Sequence, residues 1–253
     1  MPAGTDKAPG GIVRVAGSEI AYELRFIRRQ GWRLLLIFLG VLLPLLLFAA
    51  LVDELREADG FFFDEPILLW LHQMATPAVD RFFALVSKLG YRWGVVPLDI
   101  GVFAWLVWRR HFRDGLFFGL AVAGAAILNL AAKDHFTRIR PDLWLSMAPE
   151  TTFSFPSGHA MGSATLAVAL ILMLWQTRWR WLVLAAGLVF VLLVGLSRVY
   201  LGVHFPSDIL AGWTAGTAWV VAMHQLVAHR APKPPSTGEV PAAPDLIVKS
   251  SKD

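Results

Sequence analysis

The chain has 253 residues, a net charge of +4, no cysteine, 56% apolar residues and 17% charged residues. Soluble domains sit near about 45–50% apolar and about 25% charged, so this composition reads as an integral membrane protein. Lack of cysteine excludes disulfides, thiolate metal sites and cysteine nucleophiles. The basic residues fall in short loops between apolar runs, which argues against a nucleic-acid partner.

Residues 1–33 form a basic N-terminal segment. Its first dozen residues, rich in Pro, Gly and Ala, are expected to be disordered. Residues 18–31 place Ile20, Leu24 and Ile27 on one helical face and arginines elsewhere, which suits an interfacial helix or a solvated leader. Six apolar runs follow, each near the roughly 17–25 residues a membrane helix needs. They are Leu34–Val52, Trp93–Trp108, Gly115–Ala132, Ala160–Trp175, Trp181–Leu196 and Ile209–Val227. The first is preceded by 33 residues rather than a short basic head, so it reads as an anchor and not a cleaved signal. Residues 53–92 are acidic and then amphipathic, over Pro66–Met74 and Val79–Leu89, and are expected to lie along the interface as a rim. The tail, 228–253, is again Pro- and Ser-rich and reads as disordered. The expected fold is all-α: one six-span bundle over 34–227, with no linker and no second domain.

Lysine and arginine cluster in the N-terminal segment, in 109–114, in 176–180 and in the tail. Positive-inside logic places those stretches, and both termini, in the cytoplasm. Three polar stretches then share the outer face. The first is Lys133 to Pro141 (KDHFTRIRP), the second Pro156 to His159 (PSGH), and the third Ser197 to Asp208 (SRVYLGVHFPSD). PSGH opens the fourth span and the third stretch closes the fifth, so a helical hairpin brings them side by side.

Each stretch alone has an ordinary explanation. Lys133 and Arg140 could snorkel, Ser157 could simply cap a helix, and His204 with Asp208 could be a structural pair. Asp134, His135 and Arg138 read as surface residues, and Asp99 and Asn129 as helix–helix hydrogen-bonding groups. Together the stretches describe a phosphate pocket. Lys133, Arg140 and Arg198 supply cations. Ser157 and Gly158 open a helix whose first amides are free to bind an anion. His204 and Asp208, four apart, would share a helical face if the segment is helical, Pro206 between them fits the first turn of the last span, and a carboxylate on one imidazole nitrogen leaves the other free to attack.

The ordered pattern Lys133-x6-Arg140-Pro141, Pro156-Ser157-Gly158-His159, Ser197-Arg198-x5-His204-x3-Asp208 resembles the type 2 phosphatidic acid phosphatase superfamily of membrane lipid phosphatases, which also includes glucose-6-phosphatase and the vanadium haloperoxidases. All three parts of its signature match, and the resemblance in topology runs from about residue 34 to 227. It implies that His204 attacks phosphorus and forms a phosphohistidine. Asp208 would orient His204, and His159 would protonate the leaving oxygen and then activate water. Lys133, Arg140, Arg198 and the amides of Ser157 and Gly158 would bind the phosphoryl oxygens. Three fixed cations can perform what Mg²⁺ does elsewhere, so no metal and no cofactor are expected. His204 must be neutral while His159 is charged, which predicts a bell-shaped pH–rate profile. A profile monotonic through the acid and neutral range would contradict those roles.

The resemblance implies a bacterial inner-membrane lipid phosphatase with its site toward the periplasm. Polyprenyl (undecaprenyl) diphosphate is the first choice of substrate; phosphatidylglycerophosphate, phosphatidic acid and lipid A phosphate are the alternatives. Two other classes, a lipid phosphotransferase and a non-catalytic lipid-phosphate carrier, use the same pocket, and oligomeric state is not encoded in these motifs.

Overall fold

The computed structural model describes Gly31, residues 34–57 and residues 60–228. The expected interfacial helix and C-terminal tail lie almost wholly outside them. Among the described residues the chain is helical, with no strand. The helices are α1 (Leu34–Glu57, with a π-helical turn at Phe38–Leu42), α2 (Asp64–His72), α3 (Pro77–Leu89), α4 (Val95–Trp108), α5 (Phe112–Phe136), α6 (Gly158–Leu174), α7 (Arg180–Tyr200) and α8 (Pro206–Ala228).

Local chemistry sets several of these ends. Thr76 caps α3, its Oγ1 accepting from Val79 N at 3.4 Å, with Pro77 at the first helical position. Ser157 caps α6 through an Oγ that accepts from Ala160 N at 3.4 Å. α5 stops at Thr137, which adopts a left-handed conformation (φ 49°) with its N–H on Lys133 O at 3.0 Å. The helix therefore ends before Pro141, and the chain turns just after Lys133.

α1, α5 and α7 are long and apolar enough to cross a membrane, and α4 and α6 are shorter apolar helices. Many large apolar side chains face outward, among them Leu46, Ile127, Leu188 and Val189. Hydrocarbon solvates such a surface as well as another helix would; the chain is an integral membrane protein. The helices also outrun the apolar segments read from sequence. α5 continues past Ala132 to carry Lys133, and α7 continues past Leu196 to carry Arg198. Hydropathy falls at a charged side chain, but backbone hydrogen bonding continues through it.

α6 and α8 form the centre of the bundle, flanked by α1, α5 and α7. Two glycines let α8 approach α6 closely. A Cβ on Gly212 would lie 2.7 Å from Ser157 O, and one on Gly216 would lie 2.9 Å from Met161 O. Small residues of this spacing bring helix backbones together in membranes. Here they press the start of α8 against the start of α6, where Ser157 N donates to Asp208 O at 3.1 Å. α2 and α3 pack over the ends of α7 and α8. Tyr200 OH donates to Asp80 Oδ1 at 2.6 Å and pins α3 to the last turn of α7.

Candidate active site

The structure brings the expected residues to one end of the bundle. Lys133 is buried in the last turn of α5, its Nζ donating to Phe153 O. Arg140, in the following loop, is the hub. Its Nε donates to Thr152 O at 2.6 Å and its Nη1 to Val203 O at 2.6 Å. Nη1 also lies 3.0 Å from His204 Nε2. Arg198, 1% exposed, enters from the last turn of α7, donating from Nη1 to Ser87 Oγ on α3. Ser157 and Gly158 begin α6, and a Cβ on Gly158 would lie 3.0 Å from Asn129 Oδ1. His159 follows, its ring 5.1 Å from that of Tyr91.

His204 and Asp208 are both fully buried. They do not share a helical face as their spacing suggested. His204 sits in the turn before α8, and Asp208 is the third residue of that helix. The link is a capping interaction: Asp208 Oδ2 accepts from Phe205 N at 2.8 Å. An acid at this position reaching back to the preceding backbone amide is half of a capping box. Pro206 at the first helical position excludes His204 from the helix. The same carboxylate oxygen lies 3.4 Å from His204 Nδ1.

These partners define the imidazole's tautomer. A guanidinium only donates, so His204 Nε2, facing Arg140, presents a lone pair. The proton is then on Nδ1, toward Asp208 and Ser154 Oγ, both at 3.4 Å. Burial first, then the cations of Arg140, Arg198 and Lys133, hold the imidazole well below its ordinary range. His204 is a neutral base with its lone pair aimed among cations.

Four residues to which the sequence reading gave no part in the site take central places. Glu150, in the loop between α5 and α6, accepts from Arg140 Nη2 on Oε2 at 2.8 Å. Its Oε1 accepts from Arg198 Nη2 and lies 3.6 Å from His159 Nδ1. Ser154 Oγ donates to Asp208 Oδ2. Arg138, expected on the surface, instead binds Asp208 Oδ1 through Nη1 at 2.6 Å and Asp64 Oδ2 through Nη2 at 2.8 Å. Asp64, at the start of α2, is itself buried. Asp134 and His135 do stay exposed. Asn129 bonds across helices as expected, its Nδ2 donating to Pro156 O at 3.2 Å and to Met161 Sδ of α6 at 3.7 Å. Asp99 was expected to bond across helices, but its Oδ1 has no partner among the described residues. Trp144 stacks on His72 at 4.1 Å and anchors the loop, whereas Leu145 is almost fully exposed. Among the described residues no three His, Asp or Glu side chains are grouped to hold a metal ion.

Membrane helices converge here on buried cations and an oriented histidine, a site suited to a phosphate group. Residues 114–232 match the model of the PAP2 superfamily. The chain is 31% identical over 181 residues to phosphatidylglycerophosphatase B of Bacillus subtilis (strain 168), covering 68% of this chain and 85% of that one. It is 29% identical over 194 residues to undecaprenyl-diphosphatase of Sulfolobus acidocaldarius, covering 75% and 86%. The crystal structure of a transmembrane PAP2-type phosphatidylglycerolphosphate phosphatase from Bacillus subtilis superposes with a TM-score of 0.64 at 28% identity, over 72% of this chain and 94% of that one. The chain belongs to the PAP2 superfamily and is a membrane phosphatase of it.

Proposed function

We propose that the chain hydrolyses a lipid phosphate or diphosphate through a phosphohistidine at His204, without a metal, at the outer face of a bacterial inner membrane. Polyprenyl diphosphate is the favoured substrate, and phosphatidylglycerophosphate, phosphatidic acid and lipid A phosphate are the alternatives. The observation that carries this reading is Glu150. Its carboxylate sits between Arg140, Arg198 and His159, on the cations a phosphoryl group would take, and one of those cations, Arg140, also faces His204 Nε2. Arg198 Nε, buried and without a partner among the described residues, is a further donor for a phosphoryl oxygen.

The chemistry follows from that geometry. Glu150 leaves the seat and the phosphoryl group takes its place. His204 Nε2 attacks phosphorus in line with the lipid oxygen. As the P–N bond forms the P–O bond breaks, and the departing oxygen takes the proton from His159. Burial first, then the cations of Arg198, Arg140 and Lys133, oppose a charge on His159, and a phosphoryl dianion in the seat offsets those cations. Water then attacks the phosphohistidine, passing a proton to His159. The P–N bond breaks and inorganic phosphate leaves. Asp208 stabilises the positive charge on His204 in both steps. Lys133, Arg140 and Arg198, with the first amides of α6, hold the phosphoryl oxygens throughout. The clustering of Lys and Arg in the N-terminal segment, in 109–114, in 176–180 and in the tail supports a six-span reading with both termini in the cytoplasm and the seat toward the periplasm.

The Glu150 stand-in has a measurable consequence. Glu150→Ala removes a competitor for the seat, so inhibition by inorganic phosphate tightens about fivefold. That corresponds to the roughly 1 kcal/mol expected of a partly exposed ion pair. Unchanged or weaker phosphate inhibition would place the anion seat elsewhere.

The activity itself is tested by phosphate release from purified protein in detergent with EDTA. The panel is polyprenyl diphosphate, phosphatidylglycerophosphate, phosphatidic acid and lipid A. Release that survives EDTA and disappears in His204→Ala supports the reading, and the fastest lipid names the substrate class. Donor-lipid turnover that needs a second lipid as acceptor, and moves the phosphoryl group onto it without releasing phosphate, points to a phosphotransferase, and no turnover of any lipid points to a carrier.

A further inference from the structure

Beneath the catalytic pair lies a second charged layer that neither the three motifs nor the proposed mechanism uses. Arg138 is 10% exposed and Asp64 is 2% exposed. The Arg138 guanidinium lies 4.2 Å from the Phe205 ring centre and 5.7 Å from that of Phe61. These rings hold it flat between two carboxylates. Nη1 reaches Asp208 Oδ1 at 2.6 Å and Ser207 Oγ at 2.8 Å, while Nη2 reaches Asp64 Oδ2 at 2.8 Å. Asp64 in turn accepts from Ser207 N at 2.9 Å and from Ser207 Oγ. α2 is thereby bolted to the first turn of α8, immediately beside the nucleophile.

We infer that Arg138 and Asp64 form a positioning pair for the reaction: Arg138 locks Asp208 Oδ1 so that Oδ2 faces His204 Nδ1, and Asp64 holds Arg138 in place. The inference rests on His204 being the nucleophile. A carboxylate is free to rotate about its Cβ–Cγ bond, and a guanidinium on one oxygen removes that freedom. Asp208 then presents one defined oxygen to the imidazole, supported by Ser154 Oγ and Phe205 N on the same atom. Asp64 has an electrostatic task as well. Without it, Arg138 would draw the charge of Asp208 away from His204. One guanidinium shared by two carboxylates leaves a net negative charge, which Asp208 can use to stabilise an imidazolium. No direct contact joins Arg138 to Arg140, Arg198, Lys133 or Glu150, so the phosphate seat is left to those residues.

The test compares Arg138→Gln, Arg138→Lys and Asp64→Asn with the parent and with His204→Ala, using short-chain phosphatidic acid in detergent. Melting temperature reports folding, and kcat, KM and the pH dependence of kcat/KM are recorded. Arg138→Gln is expected to lower kcat about 100-fold, the size of a small misplacement of a reacting group, with KM within about threefold of the parent. Arg138→Lys, which keeps the charge, recovers part of that loss. The groups facing His204 and Asp208 are Lys133, Arg140, Arg198, His159, Glu150 and Arg138, with Asp64 behind. Removing the cation at 138 therefore moves the acid limb of the profile to higher pH, and Asp64→Asn moves it to lower pH. Opposite shifts are a signature that a purely structural role does not produce.

A folded Arg138→Gln with parental kcat overturns the inference. So do losses that follow melting temperature alone, without recovery by Lys and without opposed pH shifts in Arg138→Gln and Asp64→Asn. Should Arg138→Gln fail to fold, the lowered kcat of Arg138→Lys and the acid-limb shift to lower pH in Asp64→Asn decide, and parental values in both overturn the inference. If His204→Ala retains activity, the proposed reaction fails instead, and the two failures are separate.

Discussion

His204→Ala lowers kcat by at least about 10⁴-fold, the scale on which removal of an activated nucleophile acts, with the protein still folded. Three features converge on that size. The imidazole is fully buried, its Nε2 lone pair faces the Arg140 guanidinium at 3.0 Å, and its Nδ1 faces Asp208 at 3.4 Å. None of these is replaced by a neighbour. Ser154 Oγ is engaged on Asp208, and His159 Nδ1 lies 3.6 Å from Glu150 Oε1. Phosphate release in detergent measures the loss. Substrate binding survives it, since the cations remain, so the variant still competes for lipid phosphate. A kcat within tenfold of the parent would move the chemistry to another residue.

Arg140→Ala has the next largest effect, about 10³-fold in kcat/KM. Removal of one preorganised donor at a developing charge costs on the order of 10²–10³. Arg140 does more than that, because its Nε and Nη1 also tie the Thr152 and Val203 carbonyls together around His204. Both kcat and KM suffer: the phosphoryl group loses a partner, and the nucleophile loses the strap that holds its loop. Arg140→Lys restores little, because an ammonium cannot span two carbonyls, a carboxylate and an imidazole at once. Steady-state kinetics of the two variants check this. Recovery by Lys to within about tenfold of the parent would mean that charge alone matters there.

Much of this site was legible because its signals are abrupt. Charged residues interrupt otherwise apolar runs at Lys133, Arg140 and Arg198, and a Pro-Ser-Gly turn opens a helix. The hairpin of α6 and α7 follows from two apolar runs separated by a short basic turn. The amphipathic stretches expected along the interface appear as α2 and α3. What could not be read lies in loops. Residues 137–157 have no periodicity to say which side chains turn inward, so Glu150 and Ser154 gave no signal. Arg138 and Arg140 are two apart, both cationic, yet one binds Asp208 and the other Glu150 and His204. That division is made by the left-handed turn at Thr137 and by Asp64, 74 residues away from Arg138 in sequence. The placement of His204 outside α8 was available in principle. Pro206 with an acid two residues later is a helix start, and a helix start at Pro206 leaves His204 in the preceding turn.

The most direct test of the central claim is to catch the covalent intermediate. The parent protein is mixed with substrate carrying labelled phosphate, quenched in alkali within milliseconds and digested for mass spectrometry. The account predicts an acid-labile, alkali-stable phosphoramidate on the peptide bearing His204, absent in His204→Ala and unaffected by EDTA. Label on any other residue, or full single-turnover phosphate release with no labelled protein at any time point, would contradict it.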